Sequence, residues 1–232
     1  MTLRSVLDIV VNNLLPVFLA AATGYVLGRT LRPDVKAISR AAFYIFSPCL
    51  VFKALTSNSL SGGEFGRMAV FTLGAVLASG ALALAASRLL GYDRVLTSGV
   101  LLSVMFVNGG NFGLPINLYA FGESGLARAT LYFVFSTVLV YTLGVFIASR
   151  GRLSARQALV SVFKVPTVYA LPLAGLFLVT GWKMPAPIQR PVDLLAGAAL
   201  PVMLVILGMQ LARARFQGHV GPAGVAVALR LI

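Results

Sequence analysis

The sequence predicts an all-α polytopic membrane protein, and three observations carry that prediction. Of 232 residues, 59% are hydrophobic and only 11% are charged, whereas a soluble domain carries about 25% charged residues. Mean hydropathy is +0.93. Apolar segments near the ~20 residues that a helix needs to cross a bilayer recur along the whole chain. The formal charge of +13 would suggest nucleic acid in a soluble protein. Here the basic residues sit in short gaps between apolar segments. They read as topology signals with some attraction for anionic membrane lipid, and no nucleic-acid partner is expected.

The length rule sets the elements in order. Spans are expected at about 7–28, 37–56, 66–87, 95–121, 125–148, 166–182 and 192–212. An eighth begins near Val220, and Val225 to Ile232 are still in the apolar pattern, so this helix is expected to be cut off at Ile232. The first segment has two signal-peptide features, Arg4 and the run Ala20 to Ala22. Asn12, Asn13 and Pro16 at its start, together with its length, favour a true span. Twelve of the 19 Lys and Arg fall in one set of alternate gaps: Arg29 to Arg40, Arg88 and Arg94, Arg150 to Lys164, and Arg213 and Arg215. Six fall in the other set, and Arg230 lies inside the last segment. The richer side is expected to be cytoplasmic, which puts the N-terminus outside.

A repeat is visible in the prolines. Pro16 in the first span and Pro172 in the sixth are 156 residues apart; Pro48 in the second and Pro201 in the seventh are 153 apart. Five spans per unit is an odd number, so the second unit must enter the membrane from the opposite side, the inverted-repeat plan of many secondary transporters. Residues 1–150 are then a first five-helix repeat, 151–165 a basic cytoplasmic linker, and 166–232 part of a second repeat. A partner for the fourth span would fall near residues 268–271 by the same offset.

The chemistry-bearing residues are few. Cys49 is the only cysteine, so no intrachain disulfide is expected, and His219 is the only histidine. One of each cannot build a zinc site within the chain. Asp8, Asp34, Glu64, Asp93, Glu123 and Asp193 all fall near segment ends, whereas proton relays need an acid at depth. Membrane enzyme chemistry has little to stand on, and no cofactor or metal is expected. A coupling ion, H+ or Na+, stays open.

One stretch stands out. Asn108-Gly109-Gly110-Asn111-Phe112-Gly113-Leu114-Pro115 interrupts an apolar run that extends from Val95 to Phe121. Irregular backbone in a bilayer survives only where it is buried in protein or lines a wet cavity. A helix break leaves unpaired N–H groups at the new N-terminus, carrying about half an elementary charge. With Pro115 at the start of a second half-helix, the amides near Asn111 to Gly113 suit a carboxylate. Gly109, Gly110 and Gly113 permit close approach, and Asn108 and Asn111 add neutral donors and acceptors. The plainer reading is that both asparagines only join helices, as intramembrane amides do. Pro48 and Pro201 either kink their helices or wall the site, with Ser47 as a polar contact. Arg230 either partners an anion at depth or snorkels to the interface.

The sequence resembles the auxin efflux carrier family, which includes the PIN-type carriers of plants and bacterial organic-acid carriers. The resemblance rests on NNLLPVFLAAATGYVLG from Asn12 to Gly28, on Ile38 to Phe52 with Ser47-Pro48, and on NGGNFGLPIN from Asn108 to Asn117. Phe121-Gly122-Glu123, the Tyr132 to Phe146 segment and Ala228 to Leu231 add to it. It implies a ten-helix, five-plus-five inverted-repeat fold of the bile-acid-symporter type, close to sodium–proton antiporters in plan, of which about 7.5 helices stand in this sequence. Spans 1, 2, 6 and 7 would form a scaffold that dimerises, and spans 3–5 and 8–10 a moving transport domain with broken helices crossing at mid-membrane. The family often has an amide five residues before the tyrosine matching Tyr141; Ser136 stands there, so support from Ser136 and Tyr141 departs from the pattern. The implied function is carriage of small organic anions, mono- or dicarboxylates, across a bacterial inner membrane. A sodium-coupled symporter and a non-transporting membrane sensor are the alternatives.

Overall fold

Helix is the only regular structure among the described residues, as expected for backbone that must pair its own polar groups in lipid. The structure is a computed structural model, and it describes residues 10–58, 61–149, 155–214 and 220–231. Arg4, Asp8, Arg150, Arg152, Arg215 and His219 lie outside the described residues. We number the helices α1 Val10–Thr30, α2 Val35–Thr56, α3 Gly62–Leu89, α4 Arg94–Met105, α5 Leu114–Leu139, α6 Ala155–Val162, α7 Pro166–Thr180, α8 Ala186–Arg213 and α9 Val220–Leu231. Past Leu139 the chain stays helical through a π segment, Val140–Gly144, to Val145–Ala148. The stretch expected as a basic linker thus contains a short helix, α6, with Leu159 and Val160 exposed.

Five helical runs are long and apolar enough to cross a membrane by length and composition: Val10–Thr30, Val35–Thr56, Gly62–Leu89, Arg94–Ala148 and Ala186–Arg213. Large apolar side chains point outward along them; Val70 is 73% exposed and Leu194 77%. In water such a surface would promote association, whereas in a bilayer it is the lipid-facing wall. The protein is a polytopic membrane protein.

Prolines write a local signature into these helices. Pro16, Pro48 and Pro115 each sit two residues beyond a five-residue π segment, Val10–Leu14, Ala42–Phe46 and Gly109–Gly113 respectively. A proline has no N–H and its ring collides with the carbonyl four residues back. Widening the preceding turn to an i→i−5 bond relieves that collision, and π bulges are one of the few recognised causes of helix distortion. At Pro48 the bulge is locked twice: the Ser47 amide and the Ser47 hydroxyl both donate to Ala42 O, the latter at 2.8 Å. Pro172, Pro191 and Pro201 sit inside α7 and α8 with no such bulge. Asp34 and Asp93 cap α2 and α4 by accepting from Lys36 N and Leu96 N.

The chain divides into two compact units. The first is built from Met1–Ser61, Asn108–Val134 and Pro166–Ala214, and the second from Gly62–Val107, Phe135–Val165 and Arg215–Ile232. In the first unit, α8 packs along α1 and against α2, and α7 packs on α2. The α1–α8 seam is the closest approach: a Cβ at Gly24 would overlap the Val205 backbone, and one at Gly208 would overlap Ala21 O. Gly24 and Gly28 on α1, with Gly208 and Ala212 on α8, keep small residues four apart on facing sides, the spacing that lets membrane helices meet backbone to backbone. Beside it, Val35, Ala42, Ile206 and Met209 form a buried cluster. The second unit packs α3, α4 and α9 around Ala83, Val100, Val104 and Ala226.

Candidate functional site

The α4 helix ends at Met105 because the chain turns extended at Phe106, with φ −116° and ψ 116°. Residues 106–108 are non-helical, and helix resumes as the π turn Gly109–Gly113 before α5. Asn108, with φ −73° and ψ 67°, governs the turn. Its side-chain Oδ1 accepts from Asn111 N at 3.2 Å, and its main-chain O accepts from Gly113 N at 3.0 Å. Leu114 N donates to Gly109 O, closing the π register. Pro115 sits in the first turn of α5, where a missing N–H costs nothing, and is buried.

This geometry specifies where a ligand meets competition. The Asn111 amide is engaged by a neutral side-chain acceptor at 3.2 Å, the long end of the N–H···O range. A carboxylate makes a shorter, stronger bond to such a donor. Asn108 is exposed, and Gly109, Gly110, Asn111 and Gly113 are half-buried. The turn is held from below. It packs against α8, the Phe112 ring stands 6.3 Å from that of Phe18, and a Cβ at Gly110 would come within 3.0 Å of the Phe133 ring. Leu114, 1% exposed, anchors the start of α5 in a cluster with Leu50, Ala54, Leu126 and Leu200.

Ser47 and Pro48 belong to the same unit. Ser47 is buried with its hydroxyl spent on Ala42 O, and Pro48 is half-buried. Ser136, Tyr141 and Arg230 fall in the second unit. Within it Ser136 is 6% exposed, Tyr141 lies in the Val140–Gly144 π segment, and Arg230 is exposed near the end of α9. Two features escaped sequence reasoning. Asn117 donates from its side chain to Gly113 O at 2.9 Å, securing the turn's last carbonyl; its four-residue spacing from Gly113 was the available signal. Asp193, read only as a segment-end acid, and Lys53, one of the six basic residues of the poorer set of gaps, pair at 3.5 Å across α2 and α8.

A helical, lipid-faced chain whose fourth apolar run is interrupted by a polar, glycine-rich turn is built as a membrane transport protein is built. A family model described as membrane transport protein matches residues 9–232. The chain belongs to that family, the one that holds the auxin efflux carriers. It is similar to an uncharacterised transporter of Methanothermobacter thermautotrophicus, 28% identical over 227 residues, covering 95% of this chain and 74% of the relative. It is also similar to an uncharacterised transporter of Methanocaldococcus jannaschii, 28% identical over 208 residues, covering 84% of this chain and 67% of the relative.

Proposed function

We infer that this protein is a secondary active carrier for small organic anions, mono- or dicarboxylates, working by elevator-like alternating access. The observation that carries the reading is the Asn108 to Pro115 turn. It offers half-buried backbone amides and two carboxamides, Asn111 half-buried and Asn108 exposed, with no fixed charge, at the N-terminus of a helix. Neutral donors bind an anion without the several-kcal/mol cost of placing a fixed charged side chain in the bilayer. The cargo carboxylate takes the Asn111 N–H from Asn108 Oδ1, and the dipole of the helix starting at Leu114 favours the exchange.

The grouping of helices supports the mechanical half of the proposal. Spans one, two, six and seven, here α1, α2, α7 and α8, share the first unit, and α3 and α9 share the second. A fixed scaffold and a moving domain need such a partition, and the seam of small residues between α1 and α8 holds two of the scaffold helices together. Asn108–Val134, which holds the second half of the fourth span with the candidate turn and the first part of the fifth, groups with the first unit, so the moving part in this reading includes less of the fourth and fifth spans than a simple count of helices assigns. The protein lies in the inner membrane with its N-terminus outside, and a proton or sodium gradient drives the cycle.

Flux into proteoliposomes, with a panel of carboxylates and with or without each ion gradient, tests the whole reading. Saturable, gradient-dependent uptake is the expected result, and sodium dependence would assign the symporter variant. Asn111→Ala is expected to abolish that uptake at unchanged expression. Unchanged uptake removes the Asn111 side chain from the site, and substrate-induced thermal stabilisation without any flux would make the protein a sensor.

A further inference from the structure

A second site, independent of the carrier reading, lies where the C-terminal end of α2 meets α5 and α8. A cavity of about 230 Å³ opens there, smaller than the ~300 Å³ at which pockets begin to suit drug-sized ligands. Its floor is apolar, made by Leu50, Leu118, Leu126 and Leu200. Its rim is polar and carries both signs of charge: Lys53 and Glu123, with Ser57 and Asn58 beside them.

The charges decide which ligand fits. Lys53 is paired with Asp193 at 3.5 Å, with both side chains about two-fifths exposed. An exposed pair of this kind is worth only about 0–1 kcal/mol, so Lys53 is available for exchange. Glu123 is exposed and, among the described residues, stands in no ion pair. A simple carboxylate would gain Lys53 but face Glu123 and Asp193. A simple amine would gain Glu123 but face Lys53. A zwitterion carries a partner for each sign of charge on the rim, and the leucine-lined floor asks for an apolar body below the head group. We propose that this cavity binds a small apolar α-amino acid, of the leucine or methionine class, as its zwitterion. Its floor belongs to the same buried cluster as Leu114, the first residue after the Gly109–Gly113 turn, so an occupant leans on the helix that carries the candidate transport site.

The test is equilibrium binding of labelled leucine to the full chain in nanodiscs. It is compared with 4-methylpentanoate and 3-methylbutylamine, which keep the leucine skeleton and each lack one charge. Leucine is expected to bind saturably and up to about fivefold more tightly than either analogue, the upper end of what one exposed ion pair contributes. Lys53→Gln and Glu123→Gln should each weaken leucine by a similar factor, and Glu123→Gln should improve 4-methylpentanoate. A side chain at Gly197, which lines the cavity and whose added Cβ meets nothing within 4 Å, fills the space without altering a charge. Gly197→Leu should therefore abolish binding in a protein that melts normally, and it serves if a charge variant misfolds. Equal or tighter binding of 4-methylpentanoate would make the cavity a carboxylate site and overturn the proposal. Tighter binding of the amine, or no saturable binding of any ligand, would overturn it too. The assay reads binding and not flux, so its failure leaves the transport reading standing.

Discussion

Asn108 is the residue on which the candidate site turns. It caps the π turn with a side-chain oxygen and a main-chain oxygen at once, and no other residue of the motif does both. Removing a capping side chain costs about 0.5–2 kcal/mol. Asn108→Ala is therefore expected to lower the thermal unfolding midpoint and to impair uptake together. Asn108→Asp keeps the acceptor for Asn111 N but adds a negative charge where an anion must sit. It should preserve stability to within about 1 kcal/mol by the same capping scale and still abolish anion uptake. An Asp variant that transports normally would show that cargo never approaches this turn. Asn111 and Gly113 were legible in the sequence as residues of a break, but their amides' engagement by Asn108 was not, because a capping bond depends on the φ and ψ of residue 108.

At the scale of elements, packing distance and backbone sign set the vulnerable points. On the α1–α8 seam the two backbones approach so closely that no Cβ fits at Gly24 or Gly208. Gly208→Leu forces the helices apart, and overpacking of this kind costs about 1–3 kcal/mol or more. Thermal unfolding in detergent should show a lower midpoint, whereas Gly197→Leu, on the same helix but facing open space, should not. Within α5, Gly122 has φ 65° and ψ −163°, breaking the regular helical path between Phe121 and Glu123. This is backbone that essentially only glycine adopts, and a side chain there strains it by about 1–3 kcal/mol. Gly122→Ala is expected to lower stability by that order and the midpoint with it, and an unchanged midpoint would mean that the kink is dispensable. The prolines read in the sequence as breaks act more subtly: at Pro16, Pro48 and Pro115 the preceding turn widens and the chain stays helical or returns to helix.

At the scale of the whole molecule, the charge asymmetry between alternate gaps predicts orientation, since Lys and Arg accumulate on the cytoplasmic side of membrane proteins. A reporter fused after Arg152 should be cytoplasmic; an external reporter would reverse the topology and with it the direction in which cargo meets the Asn108 turn. The division into two units belongs to this scale too. The sequence repeat suggests a boundary near residue 150, but compactness follows packing across the chain, so Asn108–Val134 joins α1, α2, α7 and α8. Repeat and compact unit are different properties, and the second does not test the first.

The sequence by itself determined that this is an all-helical membrane protein of the transport family, and where its polar interruption lies. Those properties are set by one-dimensional quantities: the length of apolar runs, the distribution of Lys and Arg, and the clustering of Gly, Asn and Pro in NGGNFGLP. Only the tertiary structure decided that Gly24 and Gly208 face each other, that Lys53 meets Asp193, and that Leu50, Leu118, Leu126 and Leu200 enclose a cavity beneath a rim of mixed charge. Each of these joins residues far apart in the chain. Their partners are fixed by the rotation of one helix against another, which local apolar pattern leaves undetermined when a helix is apolar on nearly every face.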